Sequence, residues 1–161
     1  MLFPVPQMVP GIGKIREVQS MNGTDGFYTM KGYALNTNDE LTSAMEDYLE
    51  MIARLARQSK NVRVSDLSKM LHVKASSATK MVQQLGQSGF IHAERYGDIY
   101  LTDKGLETGN YLLYRHEVIH RFLCALNHTD NELEQVEKIE HFLNRTTVKN
   151  LELLIPHLTE P

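Results

Sequence analysis

The chain has 161 residues, 42% of them hydrophobic, and a net charge of −3. This length excludes a large multidomain enzyme, and the negative charge excludes a protein that coats nucleic acid through a basic surface over the whole molecule. A single cysteine excludes an intramolecular disulfide, and without a long apolar run or a signal-like start we expect a cytoplasmic protein with no membrane contact.

The first predicted element is an arm, because residues 1–40 hold three prolines and several glycines. Downstream, Ser43 and Glu46 fit a capping box, and apolar residues then recur at helical spacing. This pattern predicts a first helix over about 43–58.

A helix-turn-helix and a β-hairpin are predicted next. Ser65 is the predicted cap of a short second helix, and a third helix starts near Ser76. From Phe90 the apolar period shortens toward two on both sides of a turn at 95–98, which is typical of a hairpin. A helix, a helix-turn-helix and a hairpin in this order predict a winged helix.

The rest of the chain is predicted to be helical, at about 103–126, at 130–143 with Thr129 and Asp130 at its start, and at 146–157. The first of these helices has a broader apolar face than one winged helix covers, which indicates a dimerisation interface. The predicted fold class is therefore mainly α, with an N-terminal winged helix-turn-helix over 41–102 and a helical dimerisation domain over 103–161.

DNA contacts are expected in the basic middle of the chain, where residues 60–104 carry seven Lys or Arg against four Asp or Glu. The third helix presents short polar side chains that fit phosphates and longer ones that fit base edges. A polar helix face alone is usually only solvated, and an arginine at a hairpin tip is often only solubilising, but the two together favour DNA binding. The candidates are Ser76, Ser77, Thr79, Lys80, Gln83, Gln84 and Arg95.

Six side chains of metal-ligand types stand at helical spacings on three predicted helices. Asp47 and Glu50 project from one side of the first helix. Glu140 falls at the edge of a face that should be buried, where an unpaired carboxylate is costly and a cation removes that cost. His116 interrupts the apolar run of the longest helix. The candidate metal ligands are Asp47, Glu50, His116, Glu137, Glu140 and His141.

Each of these residues alone has a simpler explanation, as a hydrogen-bonded core histidine or as part of a solvated acidic stripe. Together, four carboxylates and two imidazoles without a thiolate form a set that suits Mn²⁺, Fe²⁺ or Zn²⁺. Four negative charges would also neutralise two divalent cations, with Glu140 as the natural bridging carboxylate.

Five segments carry a further pattern: SAMEDYLE (43–50), SSATKMV (76–82), LTDKG (101–105), YRHE (114–117) and VEKIEH (136–141). In this order they resemble the manganese transport regulators of the diphtheria-toxin-repressor family. The resemblance runs from about residue 41 to 157 and does not cover the predicted arm.

The resemblance implies a homodimeric repressor that binds operator DNA upstream of metal-uptake genes when Mn²⁺ is bound, with two ions per subunit. Its ligand positions correspond to the six candidates named above. The iron-responsive branch carries a methionine where Asp47 stands and a cysteine where Glu137 stands, so oxygen at both positions favours manganese. Fe²⁺, Zn²⁺ or Cd²⁺ are expected substitutes, and the SH3-like third domain of that branch is not expected here.

Several alternatives stay open. One alternative is an iron- or zinc-responsive regulator of the same family. Another is a metal-independent winged-helix regulator with a small organic effector, and a DNA affinity that does not change with metal would indicate it. A winged helix that only binds proteins would fail to bind any DNA. A dinuclear metallohydrolase is disfavoured, because protein ligands would fill both coordination shells and no nucleophile is evident, so no enzyme activity is expected.

Overall fold

The computed structural model describes residues 40–58, 61–94 and 97–159. The elements in chain order are α1 (Ser43–Arg57), α2 (Val64–Met70), α3 (Ala75–Gln87), β1 (Ile91–Ala93), β2 (Ile99–Leu101), α4 (Asp103–Asn127), α5 (Leu133–Ile139), a 3₁₀ helix (Glu140–Phe142) and α6 (Arg145–Thr159). All of them belong to one compact unit, Asp39–Pro161. The predicted arm, except for its last residue, lies outside the described residues. The mainly α fold class is confirmed.

The predicted capping box at the start of α1 is wrong by one residue. Thr42, with an extended backbone, is the N-cap, and its hydroxyl accepts a hydrogen bond from the Met45 backbone N–H at 3.3 Å. Ser43 is already helical, so its side chain does not face the free N–H groups of the first turn. This leaves the Glu46 carboxylate available for contacts with other elements.

The predicted cap of α2 is also wrong. Arg63 is the N-cap residue, and its backbone N–H donates to Asp66 Oδ2 at 3.0 Å. Ser65 lies inside the first turn of the helix, two positions too late to cap it. A carboxylate three residues into the helix thus fixes the start of α2 in place of a serine hydroxyl.

The first core is enclosed by α1, α2, α3 and the hairpin. As predicted, α3 buries Ala78, Val82 and Leu85, each at most 4% exposed. The two strands are antiparallel, with Ile91 opposite Leu101, and Val62 adds an isolated bridge to the hairpin. The order and packing of these elements confirm the predicted winged helix-turn-helix.

Two glycines allow α4 to pass close to the winged helix. A Cβ atom at Gly109 would lie 2.7 Å from Ala53 Cβ of α1, and one at Gly105 would lie 1.8 Å from the Phe90 carbonyl oxygen. Both distances are too short for a real side-chain contact, so a residue without Cβ is needed at each position. This close packing brings His116, further along α4, beside α1.

A second core joins α4, α5 and α6. The predicted helix over 130–143 is wrong at both ends. Asn131 Oδ1 accepts from the Leu133 N–H, and the Thr129 hydroxyl donates to Glu132, so these residues form a turn before α5 begins. After Ile139 the chain continues as the 3₁₀ helix. The second core consists of Val118, Ile119, Leu123, Val136 and Val148.

No helix in the described ranges is long and apolar enough to cross a membrane.

Candidate metal centre

The six predicted metal ligands meet where α1, α4, α5 and the 3₁₀ helix adjoin. On α1, Glu50 faces His116 of α4, and Asp47 faces His141 of the 3₁₀ helix. The contributing side chains are Asp47 and Glu50 from α1, His116 from α4, Glu137 from α5, and Glu140 and His141 from the 3₁₀ helix.

The ligating atoms form two groups that share Glu140. Asp47, Glu140 and His141 make up one group, and Glu50, His116 and Glu140 make up the other. Within each group the atoms lie within 4.8 Å of one another. His141 Nε2 is 3.0 Å from Asp47 Oδ1, and His116 Nδ1 is 3.2 Å from Glu140 Oε2. Each group therefore combines carboxylate oxygen with imidazole nitrogen.

Glu137 approaches the second group from its edge. Its Oε1 lies 3.8 Å from His116 Nδ1, and its side chain is 60% exposed, whereas that of Glu140 is 2% exposed. The protein still encloses part of the Glu137 carboxyl group, and this partial burial raises its pKa; the neighbouring Glu140 carboxylate raises it further. A proton or a metal ion would both relieve this repulsion.

Two of the acidic residues are almost inaccessible to water. Counted over the whole residue, Glu140 is 1% exposed and Glu50 is 8% exposed. Burying a carboxylate is unfavourable unless an opposite charge accompanies it. Arg54 Nη2 donates to Glu50 Oε1 at 2.7 Å, and the partner of Glu140 is His116. One arginine and two imidazoles thus stand against four carboxylates, which leaves a negative site suited to a divalent cation.

The carboxylates raise the pKa of both histidines. Hydrogen bonds to Asp47 and then to Glu46 raise the pKa of His141 to about 10. The hydrogen bond to Glu140 raises the pKa of His116. Both shifts show that the carboxylates favour positive charge at these two positions. The donor set, oxygen with nitrogen and no sulfur, fits Mn²⁺, Fe²⁺ or Zn²⁺.

Two residues of the site were missed by the sequence analysis. Glu46 Oε2 accepts from Arg115 Nη2 at 2.8 Å and from His141 Nδ1 at 2.7 Å. Burial alone would raise the pKa of Glu46, but the hydrogen bonds from His141 and Arg115 outweigh burial and lower it. A signal did exist for Arg115, since it falls on the same helical stripe as Leu112 and Ile119 and interrupts it, as His116 does.

The predicted DNA-binding residues that the structure describes are all exposed along α3. The Thr79 hydroxyl donates to the Ala75 carbonyl oxygen at 2.9 Å, so in this structure it bonds within its own helix. Arg95 lies outside the described residues. The exposed residues are Ser76, Ser77, Thr79, Lys80, Gln83 and Gln84.

Two family profiles match consecutive parts of the chain. The profile described as "Iron dependent repressor, N-terminal DNA binding domain" matches residues 40–99. The profile described as "Iron dependent repressor, metal binding and dimerisation domain" matches residues 102–160. The first covers the winged helix, and the second covers α4 to α6.

Related proteins and solved structures carry similar descriptions. The HTH-type transcriptional regulator MntR of Shouchella clausii is 38% identical over 120 residues, which is 74% of this chain and 84% of that protein. MntR of Bacillus subtilis is 37% identical, with the same two coverages. The solved structure of the manganese regulator SloR has a TM-score of 0.62 at 26% identity, over 70% of this chain and 54% of SloR. The chain thus spans about half the length of SloR.

Both profiles and both relatives describe DNA-binding regulators rather than enzymes. The metal-binding profile covers four of the six candidate ligands, and the DNA-binding profile covers the other two. As the five sequence segments predict, the chain belongs to the diphtheria-toxin-repressor family of metal-dependent transcriptional regulators, where it is similar to the MntR proteins.

Proposed function

We propose that the protein is a manganese-responsive repressor, which binds operator DNA as a homodimer and lowers the transcription of metal-uptake genes when Mn²⁺ is bound. The observation that carries this proposal is the position of Glu140, which belongs to both groups of candidate ligands. A structural relative of the protein supports manganese as the metal, since SloR is described as a manganese regulator.

The proposed site holds two ions per subunit. Asp47, Glu140 and His141 bind one ion, and Glu50, His116 and Glu140 bind the other, with the more exposed Glu137 completing the second set. The ions supply positive charge that balances four carboxylates, two of which, Glu50 and Glu140, are buried. Oxygen-rich ligands favour Mn²⁺ among the divalent metals, and Fe²⁺, Zn²⁺ or Cd²⁺ are possible substitutes.

The site connects metal binding to the DNA-binding surface through α1. On the face of α1 next to the ligands, Leu49 and Ile52 are fully buried in the core that also contains Val82 of α3. A movement of α1 therefore moves α3 with it. Fixing α1 against α4 and the 3₁₀ helix selects one orientation of α3. Metal binding thus shifts the population toward the conformation in which both subunits can bind their operator half-sites.

The proposed DNA-binding surface is the exposed side of α3 together with the hairpin tip. Ser76, Ser77 and Thr79 lie near the start of α3, where short side chains let the helix approach a phosphate. The longer Gln83 and Gln84 are proposed to reach base edges, and Lys80 to reach a base edge and the phosphate beside it. Arg95 is proposed to contact the neighbouring backbone or minor groove.

The proposed dimer interface lies on the C-terminal part of the chain. Several large apolar side chains are exposed there in the single subunit, at 45% or more of their surface. Large apolar side chains exposed to this extent on one part of a chain are typical of a surface that a second subunit covers. The residues are Leu126, Leu133, Phe142, Leu153 and Leu154.

A DNA-binding titration tests the proposal. A palindromic operator is first selected from a random DNA library in the presence of Mn²⁺. Its affinity for the full chain is then measured in EDTA and in matched concentrations of Mn²⁺, Zn²⁺ and, anaerobically, Fe²⁺. We expect EDTA to weaken binding by about 5- to 150-fold, the usual range of coupling between two sites.

Each other result supports a different function. If Fe²⁺ or Zn²⁺ strengthened operator binding more than Mn²⁺ does, the protein would be a regulator that responds to that metal. Equal affinity in EDTA and in every metal would favour a regulator with an organic effector. Failure to select any DNA would favour a winged helix that binds only proteins.

A further inference from the structure

We propose that Glu46 and Arg115 position His141, so that His141 presents Nε2 to the metal and holds its proton on Nδ1. This inference rests on the proposed function, because it assigns a role toward the proposed metal site. Neither residue is a candidate ligand, and the ligand groups contain neither of them.

The geometry around His141 separates its two ring nitrogens. Nδ1 lies 2.7 Å from Glu46 Oε2 and 3.3 Å from Arg115 Nη2. The carboxylate oxygen is the nearer neighbour and can only accept, so it favours a proton on Nδ1. Nε2 lies 3.0 Å from Asp47 Oδ1 and 4.0 Å from Glu140 Oε1, inside the ligand group. A neutral imidazole with its proton on Nδ1 has its lone pair on Nε2, so the hydrogen bond to Glu46 selects the tautomer that can bind a metal.

Arg115 holds the acceptor of this hydrogen bond in place. Its side chain is 4% exposed, and its Nη2 donates to the same Glu46 oxygen at 2.8 Å. Its Nε finds no hydrogen-bond partner among the residues that the structure describes. The buried guanidinium therefore depends on Glu46 for its neutralisation, and Glu46 in turn cannot rotate away without leaving a buried charge unpaired.

The network joins three elements through the ligand His141 and two residues outside the ligand groups. Glu46 lies on α1, Arg115 on α4 and His141 on the 3₁₀ helix. The same three elements contribute Asp47, His116 and Glu140 to the ligand groups. The hydrogen bonds therefore hold the three elements in register before any metal is present, which reduces the ordering that metal binding requires.

The second histidine presents the opposite nitrogen. His116 Nδ1 is the atom that faces Glu50, Glu137 and Glu140, at 3.8, 3.8 and 3.2 Å. The two histidines thus differ in the ring nitrogen that faces the ligand groups. The nitrogen that carries the proton and the nitrogen that binds the metal can be identified by spectroscopy for each histidine. A His141 that Glu46 and Arg115 position is expected to bind through Nε2.

The first test uses nuclear magnetic resonance of the histidine side chains in the wild-type full chain, loaded with a spin-active isotope of Cd²⁺. We expect the His141 proton on Nδ1 and a nitrogen–cadmium coupling at Nε2. Coupling at Nδ1, or the absence of any coupling at His141 when the protein binds Cd²⁺, would overturn the inference.

The second test measures Mn²⁺ affinity for Glu46→Ala and Glu46→Gln by calorimetry. Removing the partner of a ligand histidine usually costs about 10- to 100-fold in metal affinity. We expect Glu46→Ala to lose that much and Glu46→Gln, whose amide oxygen still accepts from Nδ1, to lose less. The control is Glu152→Gln, because Glu152 also joins two helices through a hydrogen bond, accepting from Tyr114 at 2.7 Å, but lies outside both ligand groups.

The outcomes separate this inference from the function on which it rests. If the wild type binds Mn²⁺ and Glu46→Ala binds it within a factor of two, the positioning role is wrong and the proposed function stands. If the wild type binds no divalent metal, both are wrong. Should Glu46→Ala fail to fold, the wild-type spectrum and Glu46→Gln decide the question.

Discussion

The buried carboxylate of Glu140 faces both histidines of the candidate centre, one with each oxygen. Its Oε2 lies 3.2 Å from His116 Nδ1, and its Oε1 lies 4.0 Å from His141 Nε2. No other residue of the described chain belongs to both ligand groups. This arrangement is suited to a bridging ligand, and it makes Glu140 the residue whose loss should affect both proposed ions.

The metal-free protein should lose stability as the pH rises above neutral. Asp47 and Glu46 raise the pKa of His141 from 6.5 to about 10, so the folded state holds this proton more tightly than the unfolded state. The stabilisation is therefore complete below about pH 6.5 and is lost progressively as the pH rises through about 10. Denaturant unfolding in EDTA across this range measures the effect, which should exceed about 1 kcal/mol, since each pKa unit corresponds to about 1.4 kcal/mol.

His141→Gln is the matched variant for this pH series, because glutamine keeps a polar side chain but does not titrate. Its unfolding free energy should fall less between pH 6.5 and 10 than that of the wild type. Parallel curves for the two proteins would assign the pH dependence to other groups and contradict the His141 argument.

Replacing Asp47 with methionine should relax metal selectivity. The change exchanges a charged oxygen for a soft thioether, as in the iron-responsive branch, and leaves three carboxylates to balance two dications. The fold should survive, since the Asp47 side chain is 41% exposed. We expect Fe²⁺ to activate DNA binding by Asp47→Met nearly as well as Mn²⁺, in anaerobic titrations. A variant that kept the wild-type preference would remove Asp47 from the selectivity argument.

The close approach of α4 to the hairpin predicts a strong effect of Gly105→Ala. The added Cβ would meet the Phe90 carbonyl oxygen at 1.8 Å, and this backbone atom cannot move without displacing the hairpin. Overpacking of this kind costs about 1–3 kcal/mol. The control is Gly86→Ala in α3, where the nearest atom is 3.9 Å away and alanine should stabilise the helix by up to about 1 kcal/mol. Equal unfolding free energies for the two variants would contradict the packing.

Lys80→Gln should weaken operator binding and reduce its salt dependence. One lost phosphate contact lowers the slope of log affinity against log salt by about one. Lys138→Gln is the control, because Lys138 lies on α5 and pairs with Glu134, away from α3. If the slope of Lys80→Gln matched that of the wild type, Lys80 would not contact phosphate.

The helices and the ligand set were predictable because both leave a periodic signal. Apolar residues recur every three or four positions in α1, α3 and α4, and polar residues that interrupt such a stripe, such as His116, are conspicuous. The six candidate ligands could therefore be selected from the sequence, before the structure showed that they lie close together. The hairpin was predictable from the change of period that begins at Phe90.

The remaining features depend on local geometry that residue types do not specify. Thr42 and Ser43 are both good caps, and only the extended backbone of Thr42 decides between them. The start of α5 depends on the turn closed by Asn131. Glu46 was interpreted as a capping residue, and its partners Arg115 and His141 stand 69 and 95 positions later in the chain, beyond the reach of periodicity.

The response of operator affinity to Mn²⁺, compared between the wild type and Glu140→Gln, tests the central claim most directly. Glutamine keeps the size of Glu140 but removes the charge that both ligand groups share. Glu134→Gln, an exposed glutamate of α5 paired with Lys138, serves as the control. We predict that saturating Mn²⁺ tightens DNA binding relative to EDTA by about 5- to 150-fold in the wild type and in Glu134→Gln, and leaves Glu140→Gln unchanged. A full Mn²⁺ response in Glu140→Gln would contradict the proposal that a site built around Glu140 controls DNA binding.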